Sequence, residues 1–176
     1  MGKRLVIILA AVMIFSLVYT MSAYSKPEGE IVIATTSLGR EIFTPLMGAS
    51  SEQVPMGMWN EKLLYRGHGR DYELYPGLAE SWAVSSDGLT ITFNLRKNVN
   101  FNEGWGPFTA EDVKYSLELV GREDSVNINK HLIREGIKSI EIVNPYEIKL
   151  HLKKPVPDML TWLSDTYGFI MIVSKK

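Results

Sequence analysis

Three histidines, His68, His131 and His151, are the first residues to test for chemistry, because imidazole is both a common metal ligand and the usual general base near neutral pH. They stand far apart, and none has a second ligand at metal-type spacing. His151 falls on the polar side of a strand pattern and is expected to be solvated. Glu111 and Asp112 are adjacent carboxylates, yet helical neighbours point in different directions. Both suit the positive end of a helix dipole instead. No Gly-x-Ser-x-Gly turn offers a serine nucleophile its cradle, and Gly67-His68-Gly69 lacks the lysine and helix of a phosphate loop. Cysteine is absent, which removes disulfides, thiolate metal sites and a cysteine nucleophile. Lys153-Lys154 and Lys175-Lys176 read as short solvated pairs. Trp59, Trp82, Trp105 and Trp162 could serve as ligand platforms; Trp82 is expected in the core and Trp105, in a glycine-rich turn, at the surface. These residues point to binding or packing, not bond chemistry. No cofactor or metal is implied, and an enzyme ranks last among the readings.

The elements that hold these residues follow from periodicity. Ile91, Phe93 and Leu95 alternate with Thr90, Thr92 and Asn94, the period of a half-buried strand. Trp82 and Val84 lie on one side of a strand before it, and Ser86-Asp87-Gly88 supplies a turn that accepts positive φ, so a β-hairpin is expected. Residues 30–34, "EIVIA", read as a strand, and Val54, Met58 and Leu64 suggest a helix with Pro55 in its first turn. Thr109 followed three places later by Asp112 is a capping box with aspartate for glutamate. Val113, Leu117 and Val120 make an apolar stripe behind it, expected to pack on the sheet, and Gly121 is expected to supply a left-handed stop. Ile140 and Ile142, the turn at Asn144-Pro145, and Ile148, Leu150 and Leu152 form a second hairpin, ended by Pro155 and Pro157. Met159, Leu160, Trp162 and Leu163 cluster as a short helix. The apolar run 169–173 reads as a strand covered on both faces in a larger sheet.

Compartment is set by the first residues. Lys3 and Arg4 precede an apolar run, and Ser22, Ala23 and Ser25 follow, which is the order of a secretory signal peptide. Cleavage after Ala23 or Ser25 would leave a periplasmic protein; the alternative is a membrane anchor through residues 5–21. Of 19 basic residues, losing Lys3 and Arg4 leaves 17 against 20 acidic ones. The mature surface is then weakly acidic and gives no reason to expect nucleic acid as a partner.

The segment "LYPGLAESWAVSSDGLTITFNLRKNVNFNEG", followed by "PFTAEDVKYSLE", resembles the signature of the family 5 extracellular solute-binding proteins, the peptide- and nickel-type receptors of ABC importers. The likeness rests on Ser81-Trp82, Ser86-Asp87-Gly88, residues 90–96, residues 99–101 and residues 109–113. Gly104-Trp105-Gly106-Pro107 departs from it by a longer link, expected to extend a surface turn. The resemblance implies an α/β (α+β) fold of the type II periplasmic-binding-protein kind, here incomplete. Residues 1–25 would be the signal peptide, 26–58 the start of lobe I, 59–163 a small inserted α+β domain with a mixed sheet, and 164–176 the return into lobe I. The signature segment itself would be scaffold.

The implied function is the substrate-binding component of an ABC importer for peptides or a similar small solute, with the permease membrane subunits as partners. The runner-up is an exported or membrane-anchored interaction module without transport activity. By position, solute contacts are expected at Ser51, Glu52 and Gln53 and at Tyr167, although these match no binding motif of the family. Two large ligand-enclosing lobes are implied for the family, so this chain reads as the front piece of a longer receptor or split gene, or as a small protein keeping only the scaffold. Alone, with the run 169–173 short of sheet neighbours, it is expected to be marginally stable or aggregation-prone.

Overall fold

The computed structural model describes residues 60–67, 73–164 and 170–176. All of them fall within the compact unit Thr36–Lys176. The expected strand at 30–34 and the start of the helix at Pro55 lie outside the described residues; the far end of that helix is corrected, because residues 60–63 are not helical and Leu64 opens a strand.

At the centre is a four-stranded sheet in the order β3-β4-β8-β7, built from β3 (Ala79–Val84), β4 (Thr90–Leu95), β7 (Ile137–Asn144) and β8 (Glu147–Leu152). Every pairing in it is antiparallel, which corrects the expected mixed sheet: consecutive strands joined by tight hairpins can pair only antiparallel. The period-two alternation explains its two faces. Ile91, Phe93 and Leu95 on β4 and Ile148, Leu150 and Leu152 on β8 are all buried, with Phe93 opposite Ile148 and Ile91 opposite Leu150. Thr92, Lys149 and Glu141 meet on the other, polar face. The central strands carry the fully buried residues because neighbours flank them on both sides. On edge strand β3, Trp82 is half-buried against the core and Val84 is 48% exposed. Register shifts between Ala79 and Ser81, and twice along β7, fall on the two edges, where irregularity discourages pairing with another chain.

The first hairpin turn is closed by side chains. The Asp87 carboxylate accepts from the Leu89 N–H at 3.0 Å, the Ser85 hydroxyl accepts from the Thr90 N–H at 2.9 Å, and Gly88 takes φ +69°. Two small antiparallel ribbons flank the sheet, β1 (Leu64–Arg66) with β2 (Leu74–Pro76), and β5 (Asn100–Phe101) with β6 (Gly106–Pro107). The link between β5 and β6 is the surface turn expected from the lengthened glycine-rich segment, with Trp105 52% exposed.

Helix α1 (Ala110–Val120) begins where the capping box predicts. The Asp112 carboxylate accepts from the Thr109 backbone N–H at 2.8 Å and from its hydroxyl at 3.1 Å. The Ala110 N–H, one of the donors a helix start leaves without an intrahelical partner, is taken by the Pro145 carbonyl at 2.9 Å. Thus the first turn of α1 is tied to the β7–β8 turn. Val113, Leu117 and Val120 are fully buried in one core with the strand residues. Thr109→Ala is expected to cost about 1 kcal/mol, the usual worth of such a cap; an unchanged midpoint in a urea melt would remove the cap from this account.

Two further expectations are corrected. Gly121 ends α1 at φ −75°, not in the left-handed region. A Cβ there would stand 3.0 Å from the Ile133 side chain, so close packing, not backbone freedom, is what glycine supplies. Residues 170–172 are buried as expected, but no strand ladder holds them among the described residues. The Ile172 N–H bonds the Glu61 carbonyl at 3.0 Å, the Val173 N–H bonds the Ser116 hydroxyl at 3.0 Å, and the Lys175 N–H bonds the Asp112 carboxylate at 2.9 Å. Side chains of α1 therefore do for this stretch what a neighbouring strand would do. A π-helical turn, Leu132–Gly136, leads into β7, and the short α2 (Met159–Trp162) closes over the core with Met159 and Leu163 buried.

Candidate functional site

A recess of about 710 Å³ opens between three stretches distant in sequence: residues 60–65, the β5–β6 ribbon, and residues 172–176. Its size falls in the range of roughly 300–1,000 Å³ that small-molecule sites occupy. Tyr65, Phe101, Trp105 and Phe108 form aromatic walls. Phe101 and Phe108 meet edge to face, with centroids 6.4 Å apart and planes at 74°, a favourable aromatic geometry. Glu61 and Lys176 place one charge of each sign on the lining, and the Tyr65 hydroxyl donates to the Glu61 carboxylate at 2.8 Å. Gly106, at φ +101°, lets the Lys176 ammonium approach to 2.9 Å of where a Cβ would stand. A recess with aromatic walls and opposite charges can grip an amphipathic solute; it has no nucleophile paired with a base.

The residues expected to touch solute, Ser51, Glu52, Gln53 and Tyr167, lie outside the described residues, as does His68. Tyr65 had no role in the sequence reading, Phe101 stood only in the segment of family likeness and Lys176 only in a solvated pair, since only the fold brings their three stretches together. Trp105 was singled out, and it does lie on this recess.

Three of the other residues considered for chemistry, Glu111, Asp112 and His151, have structural work. Asp112 caps α1 and holds residue 175, while Glu111 pairs with the Lys175 ammonium at 2.8 Å. That ammonium holds the Glu111 carboxyl below its usual value. His151, expected to be simply solvated, bonds Glu141 across the polar face at 2.7 Å, with the Thr90 hydroxyl 3.4 Å from its other ring nitrogen. This bond lowers the Glu141 carboxyl below its ordinary 4.5. A depressed carboxyl contributes stability at pH above its unfolded value and loses it as pH falls through the lower folded value. Glu141→Gln is accordingly expected to reduce stability near neutrality, with the difference from wild type vanishing in acid below 4.5. Paired urea melts along a pH series measure it, and a constant difference down into acid would contradict the assignment. Among the described residues, no group of three His, Asp or Glu side chains is placed to hold a metal ion, and no helix is long and apolar enough to cross a membrane.

The described residues thus form an antiparallel sheet backed by one capped helix, with an aromatic recess beside it. Residues 73–176 match the family described as bacterial extracellular solute-binding proteins, family 5 Middle. The chain belongs to that family. It is 35% identical over 89 residues to the glutathione-binding protein GsiB of Salmonella choleraesuis (strain SC-B67), covering 51% of this chain and 17% of that protein. It is 34% identical over 144 residues to heme-binding protein A of Haemophilus influenzae, covering 72% of this chain and 24% of the relative. Among solved structures, the ABC transporter-associated periplasmic binding protein DppA of Helicobacter pylori, in complex with the peptide STSA, superimposes with a TM-score of 0.62 at 31% identity. That match covers 74% of this chain and 28% of DppA. The chain thus spans about a quarter or less of the length of these relatives. The relatives are binding proteins, so the family is one of solute binding, not catalysis, and its fold is the type II periplasmic-binding-protein fold.

Proposed function

We propose that the chain supplies the N-terminal portion of the substrate-binding component of an ABC importer for peptides or a similar small solute. In this reading residues 1–25 export it to the periplasm, 26–58 open lobe I, 59–163 form the small inserted domain, and 164–176 return into lobe I. The supporting observation is the recess. Its two backbone walls, residues 60–65 and 172–176, are the stretches that follow Ser51, Glu52 and Gln53, and then Tyr167, in chain order. The sheet and α1 act as scaffold, and the concave end turns toward the solute. Transport follows when the solute binds the closed arrangement of lobes more tightly than the open one, because only a difference in affinity can drive closure. Permease membrane subunits then receive the closed form.

Uptake tests this. A strain deleted for the gene is expected to lose most uptake of at least one class of labelled short peptides, and the reintroduced gene to restore it. Uptake unchanged across all peptide lengths would overturn the peptide reading.

A further inference from the structure

A second recess, of about 350 Å³, shares no lining residue with the first. One wall is built by a segment with inverted polarity. Ser125, Asn127 and Asn129 are buried, whereas Val126 and Ile128 are 54% and 59% exposed. Local bonds enforce the inversion: the Asn127 N–H donates to the Ser125 hydroxyl at 3.2 Å, the Asn129 N–H to the Asn127 side-chain carbonyl at 2.9 Å, and the Lys130 ammonium to the Ser125 carbonyl at 2.8 Å. Short polar side chains that satisfy nearby backbone in this way compete with regular structure. Here they hold Ile128 on the rim. The chain then enters the π-helical turn that places Leu132 in the lining, and such turns recur at functional sites. Val156 and the Trp162 indole complete the apolar part.

Three charged or polar groups look into this apolar setting, namely His131, Glu135 and Lys154. All three are exposed, and none has a hydrogen-bond or ion-pair partner among the described residues. Lys154 carries a full positive charge, and the imidazole of His131 offers an N–H donor in either protonation state. Two unused donors beside an aromatic wall complement a molecule with an apolar body and one negatively charged head. We propose that this recess is a ligand site for a small apolar carboxylate, its head on Lys154 and His131 and its body against Trp162, Leu132 and Val156. Glu135, on the same lining, opposes any carboxylate, and a diacid more than a monoacid.

The volume sits at the small end of the range, about 300–1,000 Å³, that ligand pockets span, which suits one ring or one branched chain. The site goes beyond the solute cleft of the transport reading and stands or falls separately from it. The test is nuclear magnetic resonance titration of the full, ¹⁵N-labelled chain with 3-phenylpropionate, following the Trp162 indole and the Ile128 and Leu132 amides, with 3-phenylpropanamide as the uncharged control. Saturable shifts are expected with the acid, and about tenfold weaker binding with the amide, since the charge-assisted bonds are lost. Lys154→Met and His131→Gln, both surface changes, are each expected to weaken the acid about fivefold and to leave the amide unchanged. Equal binding of acid and amide, no saturation with the acid, or wild-type acid affinity in both variants would overturn the site. A tripeptide ending in free phenylalanine competes with the acid if the natural carboxylate is a chain end and fails to compete if it is a free acid; both outcomes support a carboxylate site.

Discussion

Phe93→Ala is expected to destabilise the protein by about 4 kcal/mol, the range found when a fully enclosed aromatic ring is cut back to a methyl group. Phe93 is fully buried on β4, with Trp82 opposite it on β3 and Ile148 on β8. Both neighbours are fixed by strand pairing, so the hole cannot close by a local shift, and the lost contacts add to the lost transfer energy. Against a total stability of roughly 5–15 kcal/mol for a domain of this size, the loss is large. Phe93→Leu keeps most of the volume and is expected to cost only about 1–1.5 kcal/mol. Urea melts followed by circular dichroism measure both. A loss below about 1 kcal/mol for the alanine variant would mean that the β3-β4-β8 core is not packed as described.

Asp112→Ala is expected to cost about 3 kcal/mol, more than the cap residue Thr109 that it serves. The difference comes from the number of donors left behind. The Asp112 side chain is only 6% exposed and accepts from the Thr109 N–H, the Thr109 hydroxyl and the Lys175 N–H. Removing a buried acceptor leaves three partly buried donors to find new partners at once, which costs more than a single bond. Asp112→Asn keeps one acceptor oxygen and the shape, and is expected to recover about half of the loss. If the alanine variant melts no earlier than Thr109→Ala, the tie to residue 175 contributes nothing.

Local signals were legible in the sequence. Both hairpins follow from period-two alternation and from turns whose residues bond their own neighbours, as Ser85 and Asp87 do. The start of α1 needed only Thr109 and Asp112, three positions apart. What was not legible depends on distant chain. Burial of residues 170–172 was readable from their apolar run, but a strand ladder and a set of α1 side chains bury such a run equally well. Ile172 is held by the Glu61 carbonyl, and the residues just beyond it, Val173 and Lys175, by Ser116 and Asp112, 57 and 63 positions earlier. Gly121 shows the same limit: glycine after a helix can mean a left-handed turn or a close neighbour, and only the position of Ile133 decides. The aromatic recess has walls from three separated stretches, so no window of sequence contains it. The solute contacts expected at Ser51, Glu52, Gln53 and Tyr167 fall outside the described residues and stand as part of the proposal.

Most depends on α1 acting as a bracket that seats residues 173–175 on the sheet unit, because that seating forms one wall of the aromatic recess. Native-state hydrogen exchange on the whole chain tests it directly. The Ile172, Val173 and Lys175 amides should exchange as slowly as those of Leu117 and Leu150, all through one cooperative opening. Exchange of those three at the rate of an unstructured chain, while Leu117 and Leu150 stay protected, would contradict it.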